Sequence, residues 1–137
     1  MNRFVLDCSV TMAWCFENEA DLRADALLEG MSDATACVPC IWGLEVANVL
    51  LVAERKGRLT EADVTAFVTR VREMPIEQEP MLDAQALNRI LSLCRRYGLS
   101  AYDGAYLELA MRLEIPLATL DAKLRAAAQS AGVGAAF

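Results

Sequence analysis

The sequence predicts an α/β fold: a sheet of buried strands with helices packed on both faces. Two observations carry that prediction. Short apolar runs alternate with longer helical patterns, and the most apolar of them, Arg3 to Asp7 (RFVLD) and Ile115 to Leu120 (IPLATL), read as central strands of a mostly parallel sheet. No repeat, low-complexity tract or linker breaks the alternation, so residues 1–137 are expected to form one domain with a self-sufficient core.

RFVLD ends in an acid, and Ser9 is placed to N-cap a brief helix through Phe16. Glu19 to Met31 carries Leu22, Ala26 and Leu27 at helical spacing, with Gly30 near its end. Ala34 to Val38 reads as a second buried strand stopped by Pro39. From Cys40 to Lys56, Ile41, Leu44, Val46, Val49, Leu50 and Val52 wrap much of a helix, predicting that it is mostly buried, and Gly57 stops it. Thr60 and Asp63 resemble a capping box ahead of Val64, Phe67, Val68 and Val71, an amphipathic stripe.

Pro75 to Pro80 (PIEQEP) allows only a short edge strand between its prolines. A helix from Leu82 to Tyr97 ends at Gly98, and Ser100 caps another over Ala101 to Leu113. The IPLATL strand, a helix over Ala122 to Ala131 and a last short strand from Val133 to Phe137 complete the chain.

The chain contains no histidine, which removes Ser-His-Asp and Cys-His catalysis, imidazole acid–base pairs and His-based metal sites. Any catalysis must rest on carboxylates, thiols, hydroxyls or the two lysines. The net charge of −6 argues at first sight against a nucleic-acid partner. The apolar share of 55% leaves surface to spare for another protein. Five cysteines lie inside apolar stretches and Asp7 interrupts the N-terminal apolar run, a pattern expected of a reducing cytoplasm. The longest uncharged stretches, Ala34 to Leu44 and Ala126 to Phe137, are too short to span a bilayer.

Asp7 and Asp121 fall at or just beyond the C-terminal ends of predicted strands, the edge at which open α/β sheets bind ligands. Glu45 and Asp103 interrupt apolar helical stretches, where an unpaired charge is costly. If the four converge, their repulsion calls for a cation, and hard all-oxygen ligands suit Mg²⁺ or Mn²⁺. Such a centre hydrolyses phosphate esters without imidazole. The plainer readings stay open: strand-end acids also cap helices, and acids in helices also pair with arginines. Asn48 shares the helix face of Glu45, Thr119 the strand face of Asp121, and Ser9 follows Asp7 by two; each could orient a carboxylate. Their plainer roles are a backbone-bonded amide, a strand residue and a helix cap.

The order VLDCSV, VPCIWGLEVANVL, LSAYDGAYLELA and PLATLDAKL resembles the PIN-domain ribonucleases, in particular the VapC toxins of VapBC toxin–antitoxin pairs, over nearly the whole chain. The resemblance implies a PIN-like three-layer α/β/α domain with a mostly parallel central sheet of four to five strands. It implies metal-binding carboxylates at Asp7, Glu45, Asp103 and Asp121, with an auxiliary hydroxyl at Thr119. It further implies a Mg²⁺- or Mn²⁺-dependent endoribonuclease that cuts cellular RNA, is neutralised by a VapB-type antitoxin, and pairs as a homodimer that forms a heterotetramer or larger assembly with it. Cys40 stands where the family often has Ser, which puts only a helix cap in doubt.

Three readings compete. Cys37-Val-Pro-Cys40 has the form of a thioredoxin-like redox pair, although its first cysteine is placed in a buried strand. Asp7 to Thr11 faintly resembles a phosphotransfer loop, but Lys123 is placed in a helix rather than on the same edge. A catalytically silent interaction module would use Met12, Trp14, Phe16, Trp42 and the valine-phenylalanine stripe as a docking groove. Arg55, Lys56, Arg58, Arg95 and Arg96 lie at predicted helix C-termini, either offsetting helix dipoles or contacting phosphate.

Overall fold

The structure, a computed structural model, describes residues 2–80 and 82–137. The alternation becomes β1 (Asn2–Leu6), α1 (Cys8–Cys15), α2 (Leu22–Glu29), β2 (Ala34–Val38), α3 (Trp42–Arg55), α4 (Glu61–Arg72), β3 (Ile76–Gln78), α5 (Ala84–Tyr97), α6 (Ala101–Leu113), β4 (Leu117–Ala118) and α7 (Ala122–Ser130). The four strands pair in parallel in the order β3-β2-β1-β4, giving the expected three-layer α/β/α architecture. Parallel strands need covering on both faces, and accordingly Phe4, Val5, Leu6, Ala36, Cys37 and Val38 are all buried.

The sheet steps outward from β1 through β2 to β3, and the chain then returns to lay β4 on the other side of β1. The crevice beyond the C-terminal ends of β1 and β4 is therefore the topological switch point, where this class of fold binds ligands.

The interior strands are β1 and β2, so the expectation that Ile115 to Leu120 is central fails. Only Leu117 and Ala118 pair, with Val5 and Leu6 of β1. The apolarity of this run reflects cover rather than a central place, because the C-terminal tail lies along its outer side. Val133 to Phe137 is correspondingly not a full strand but one parallel bridge between Ala135 and Leu117, held by Leu117 N–H to Gly134 O (2.9 Å) and Ala136 N–H to Leu117 O (3.0 Å).

Helix α2 is shorter than Glu19 to Met31 because Asp21 accepts hydrogen bonds from the amides of Arg23 and Ala24 and starts the helix at Leu22. Single 3-10 turns flank it at Glu17–Glu19 and Gly30–Asp33. Helix α3 begins at Trp42 rather than Cys40, with no side-chain cap. It is also less buried than its composition suggests. Trp42, Val46, Leu50 and Ala53 form one buried stripe, while Leu44, Leu51 and Val52 fall outside it and are exposed.

The Thr60–Asp63 capping box forms in full, and Gly98 ends α5 in the left-handed conformation (φ 66°). Helix α6 is buried from Gly104 to Ala110. It packs against α5 at Gly104, where a Cβ would collide with the Cys94 sulfur and crowd Ile90. Beside that contact, buried Glu108 accepts from Arg89 (3.0 and 3.2 Å) and Arg112 (2.9 and 3.4 Å), tying α5 to α6. Arg112 also reaches Glu79 beyond β3 (3.6 Å).

Met12, Trp14, Phe16 and Trp42 are core residues, not the walls of a docking groove. Both indoles find buried acceptors, Trp14 in Ala24 O (2.8 Å) and Trp42 in Thr11 Oγ1 (3.1 Å). Of the α4 stripe, Phe67 is buried and Val68 exposed. Among the described residues no helix is long and apolar enough to cross a membrane.

Candidate metal centre

Asp7 directly follows β1, and its amide extends the β1–β4 ladder by donating to Ala118 O (3.0 Å). The chain then turns into α1, which leaves the Asp7 side chain only 5% exposed. It occupies the N-cap position of α1 but makes no capping hydrogen bond. Its Oδ2 instead accepts the hydroxyls of Ser9 (2.6 Å) and Thr119 (2.7 Å). Ser9 lies within the first turn of α1 and is not its cap; its Oγ accepts the Leu120 amide (3.0 Å). Thr119 is likewise more than a strand residue, because its buried Oγ1 accepts the Asp121 amide (3.0 Å). Two hydroxyls thus lock the ends of β1 and β4 together through one carboxylate oxygen.

Asp121 is the N-cap of α7, its Oδ1 accepting from the amides of Lys123 (2.9 Å) and Leu124 (3.1 Å). Asp103 sits in the first turn of α6, whose cap Ser100 accepts the Asp103 amide (3.1 Å). Glu45 lies in the first turn of α3. All four acids therefore stand at helix N-termini, where the backbone dipoles favour negative charge.

That favourable field does not offset the cost of gathering them. Burial above all, and then the charge of Asp121, raise the Asp7 carboxyl above its ordinary range, against the two hydroxyls. Burial raises Glu45, with Asp7 and Asp103 adding to it. Asp103 is raised by burial, Asp7 and Asp121, and opposed by Lys123 and Ser100. Each of the four acids is thus coupled to at least one other. Lys123 is the base that opposes the rise at Asp103, its ammonium lying beside the α5–α6 turn at Gly98.

Tyr106 joins these residues without standing out in the sequence pattern. It lies one turn after Asp103 on the same face of α6, is fully buried, and donates its hydroxyl to Glu45 Oε1 at 2.6 Å. A tyrosine inside an apolar helix needs a partner for its hydroxyl, and that requirement was the available signal. Asn48, expected to support Glu45, is exposed and bonds nothing among the described residues.

The donor set fits a hard divalent cation: carboxylates and hydroxyls, with a surplus of negative charge that a cation would relieve. The nearby Cys8 thiol is pushed up to about 12 by burial, Glu45 and Asp7, and stays protonated, so it adds no soft ligand. Among the described residues no group of three or more acids or cysteines is drawn together into an ion-holding cluster. The acids share a field without yet sharing a coordination point.

The other candidate sites are occupied structurally or misplaced chemically. Burial pushes the Cys37 thiol up, against Arg3, the reverse of what a redox nucleophile needs. Arg58 stacks on Phe16 (4.4 Å) while binding Asn18 and Glu19, and Arg96 lies over Tyr97 (5.6 Å). A cavity of about 460 Å³ between α5 and α6, lined by Leu93, Met111 and the Glu108 network, contains none of the four acids.

The family model of the PIN domain matches residues 4–129. No curated protein matches by sequence. Among solved structures, PAE2754 from Pyrobaculum aerophilum superposes with a TM-score of 0.72 at 18% identity, covering 92% of this chain and 84% of that one. FitAcB from Neisseria gonorrhoeae gives 0.66 at 18%, covering 96% and 95%. Mycobacterium tuberculosis VapC20, described as a sarcin-ricin loop cleaving toxin, gives 0.65 at 14%, covering 90% and 94%.

Proposed function

The chain belongs to the PIN-domain family, and from that premise we propose that residues 1–137 act as a Mg²⁺- or Mn²⁺-dependent endoribonuclease, the VapC-type toxin of a toxin–antitoxin pair. What supports this reading is that Asp7 and Asp121 stand at the ends of β1 and β4 beside the switch point of the sheet, and that each of Asp7, Glu45, Asp103 and Asp121 is coupled by charge to at least one other. Three of them are raised by burial and by one another, a cost that a fold keeps where it serves chemistry.

In this reading the four carboxylates hold the cation, which when bound supplies Lewis-acid stabilisation of charge on a phosphoryl oxygen. Ser9 and Thr119 fix the rotamer of Asp7, and the amides of α7 fix Asp121. Lys123 is placed to meet a phosphate of the RNA backbone beside Asp103. The overall charge of −6 is less opposed to RNA than it first looks, because four of the acids lie in the centre the cation would neutralise. The relatives that are toxins and toxin–antitoxin complexes, including one from Klebsiella pneumoniae, support a VapB-type antitoxin as partner. A homodimer, assembling further with the antitoxin in the cytoplasm, completes the reading.

Purified protein freed of antitoxin is expected to cleave RNA with Mg²⁺ or Mn²⁺, and Asp7→Ala or Asp103→Ala to abolish cleavage. Undiminished cleavage in EDTA, or by either variant, would overturn it.

A further inference from the structure

We propose that Tyr106 is a positioning residue for the centre, holding Glu45 by one oxygen so that the other is presented to the cation. The inference rests on the cation-binding reading above and goes beyond it, to a residue outside the carboxylate set. Three of the acids have side-chain or amide donors converging on one of their two oxygens. In Asp7 the gripped atom is Oδ2, held by two hydroxyls; in Asp121 it is Oδ1, held by two amides. In Glu45 it is Oε1, and its donor is the Tyr106 hydroxyl alone. Among the described residues Oε2 of Glu45 and Oδ2 of Asp121 accept no hydrogen bond.

Glu45 is the acid that most needs such a hold. It has the longest of these side chains, it is only half-buried, and it extends from α3 rather than from a strand end. Without a fixed partner its carboxylate would be spread over several rotamers, and ordering them would oppose binding. Tyr106 can supply the hold because its ring is immobilised in the core with no exposed surface, between Ala105 and Leu107 of a buried helix. Asp103 stands one turn earlier on α6, so the helix that carries one acid also orients another.

The test is Mn²⁺ titration of the metal-free protein, read by the electron paramagnetic resonance of free Mn²⁺, for wild type and Tyr106→Phe. The substitution keeps the ring and removes one oxygen. The expected result is folded Tyr106→Phe with affinity lowered about tenfold or more, and RNA cleavage restored in part by raised Mn²⁺. A purely structural hydroxyl would lower the melting temperature and leave the affinity of the folded protein unchanged. Equal affinities would overturn the proposal and leave the nuclease reading standing; a wild type that binds no Mn²⁺ would overturn both. Should Tyr106→Phe not fold, wild type labelled with ζ-¹³C tyrosine serves instead. The Tyr106 resonance is then expected to move with Mg²⁺ saturation, and a stationary resonance while Mg²⁺ binds would overturn the proposal.

Discussion

Thr119 and Asp7, 112 residues apart, are joined by a buried 2.7 Å hydrogen bond that closes the C-terminal ends of β4 and β1 around one carboxylate oxygen. The same Thr119 hydroxyl accepts the Asp121 amide, so one side chain sets the position of two of the proposed ligands. Thr119→Val keeps the shape and removes both bonds. It is expected to destabilise the protein by about 1–2 kcal/mol, the cost of leaving a buried amide and carboxylate short of partners, and to weaken cation binding. Thr119→Ser restores the hydroxyl and is expected to recover most of both losses, measured by thermal melts and Mn²⁺ titration. A valine variant that binds Mn²⁺ as tightly as wild type would remove Thr119 from the centre.

What could be read from the sequence follows the distance over which each signal acts. Capping at Thr60 and Ser100 and the stop at Gly98 depend on a few neighbouring residues, and each is where the pattern puts it. The four candidate acids stand out in the sequence because each contradicts its surroundings, as a charge at a strand end or inside an apolar helix. Strand order was not, since IPLATL is apolar both as a central strand and as an edge covered by the tail, and only the fold distinguishes them. Tyr106 escaped for a similar reason: its one-letter context is that of a core aromatic, and its role rests on Glu45, 61 residues away. Asn48 shows the converse, since it lies near Glu45 in sequence and helical spacing but turns to solvent.

The Glu108 network is expected to matter for stability and not for the reaction. Glu108 is 2% exposed, whereas Arg89 and Arg112 both reach water. Removing the acid therefore leaves two cations that can solvate, and removing both arginines leaves a buried carboxylate without a counter-charge. Arg89→Ala with Arg112→Ala is expected to cost about 3–5 kcal/mol, and Glu108→Gln about 1–2 kcal/mol, in urea melts. The reverse ranking would mean that the arginines serve another purpose.

Gly104 allows α6 to lie close against α5 immediately after Asp103. The Cβ of Gly104→Ala would strike the Cys94 sulfur, and Ile90 leaves little room to shift. Overpacking of this kind costs about 1–3 kcal/mol. Because the first obstacle is the tip of one side chain, the double variant Gly104→Ala with Cys94→Ala is expected to recover part of the loss. Additive losses in the two single variants and the double would show that the backbone, not the sulfur, sets the approach.

The raised carboxyls give the cation-free protein an unusual dependence on pH. A carboxyl whose pKa is higher in the folded than in the unfolded chain holds its proton more tightly when folded, so the fold is penalised above the folded pKa and relieved as the pH falls through it. Asp7, Glu45 and Asp103 all act in this direction, Asp121 adding repulsion at Asp7 and Asp103 and Lys123 opposing it at Asp103. Asp21 and Asp63 act oppositely, their carboxyls being lowered by Arg23 and by the Thr60 backbone, and their contribution is lost only as the pH drops through and below the ordinary carboxylate range. In EDTA the melting temperature is therefore expected to rise as the pH falls from neutrality toward the ordinary carboxylate range, and to fall again below that range. Mg²⁺ competes with the same protons, so its stabilisation should be larger at neutral pH than near the ordinary carboxylate range. Asp7→Asn removes the most buried of these charges and is expected to raise the melting temperature at pH 7 in EDTA while abolishing the response to Mg²⁺. Calorimetry over this range checks all three, and a Mg²⁺ increment independent of pH would show that the cation binds somewhere other than among these acids.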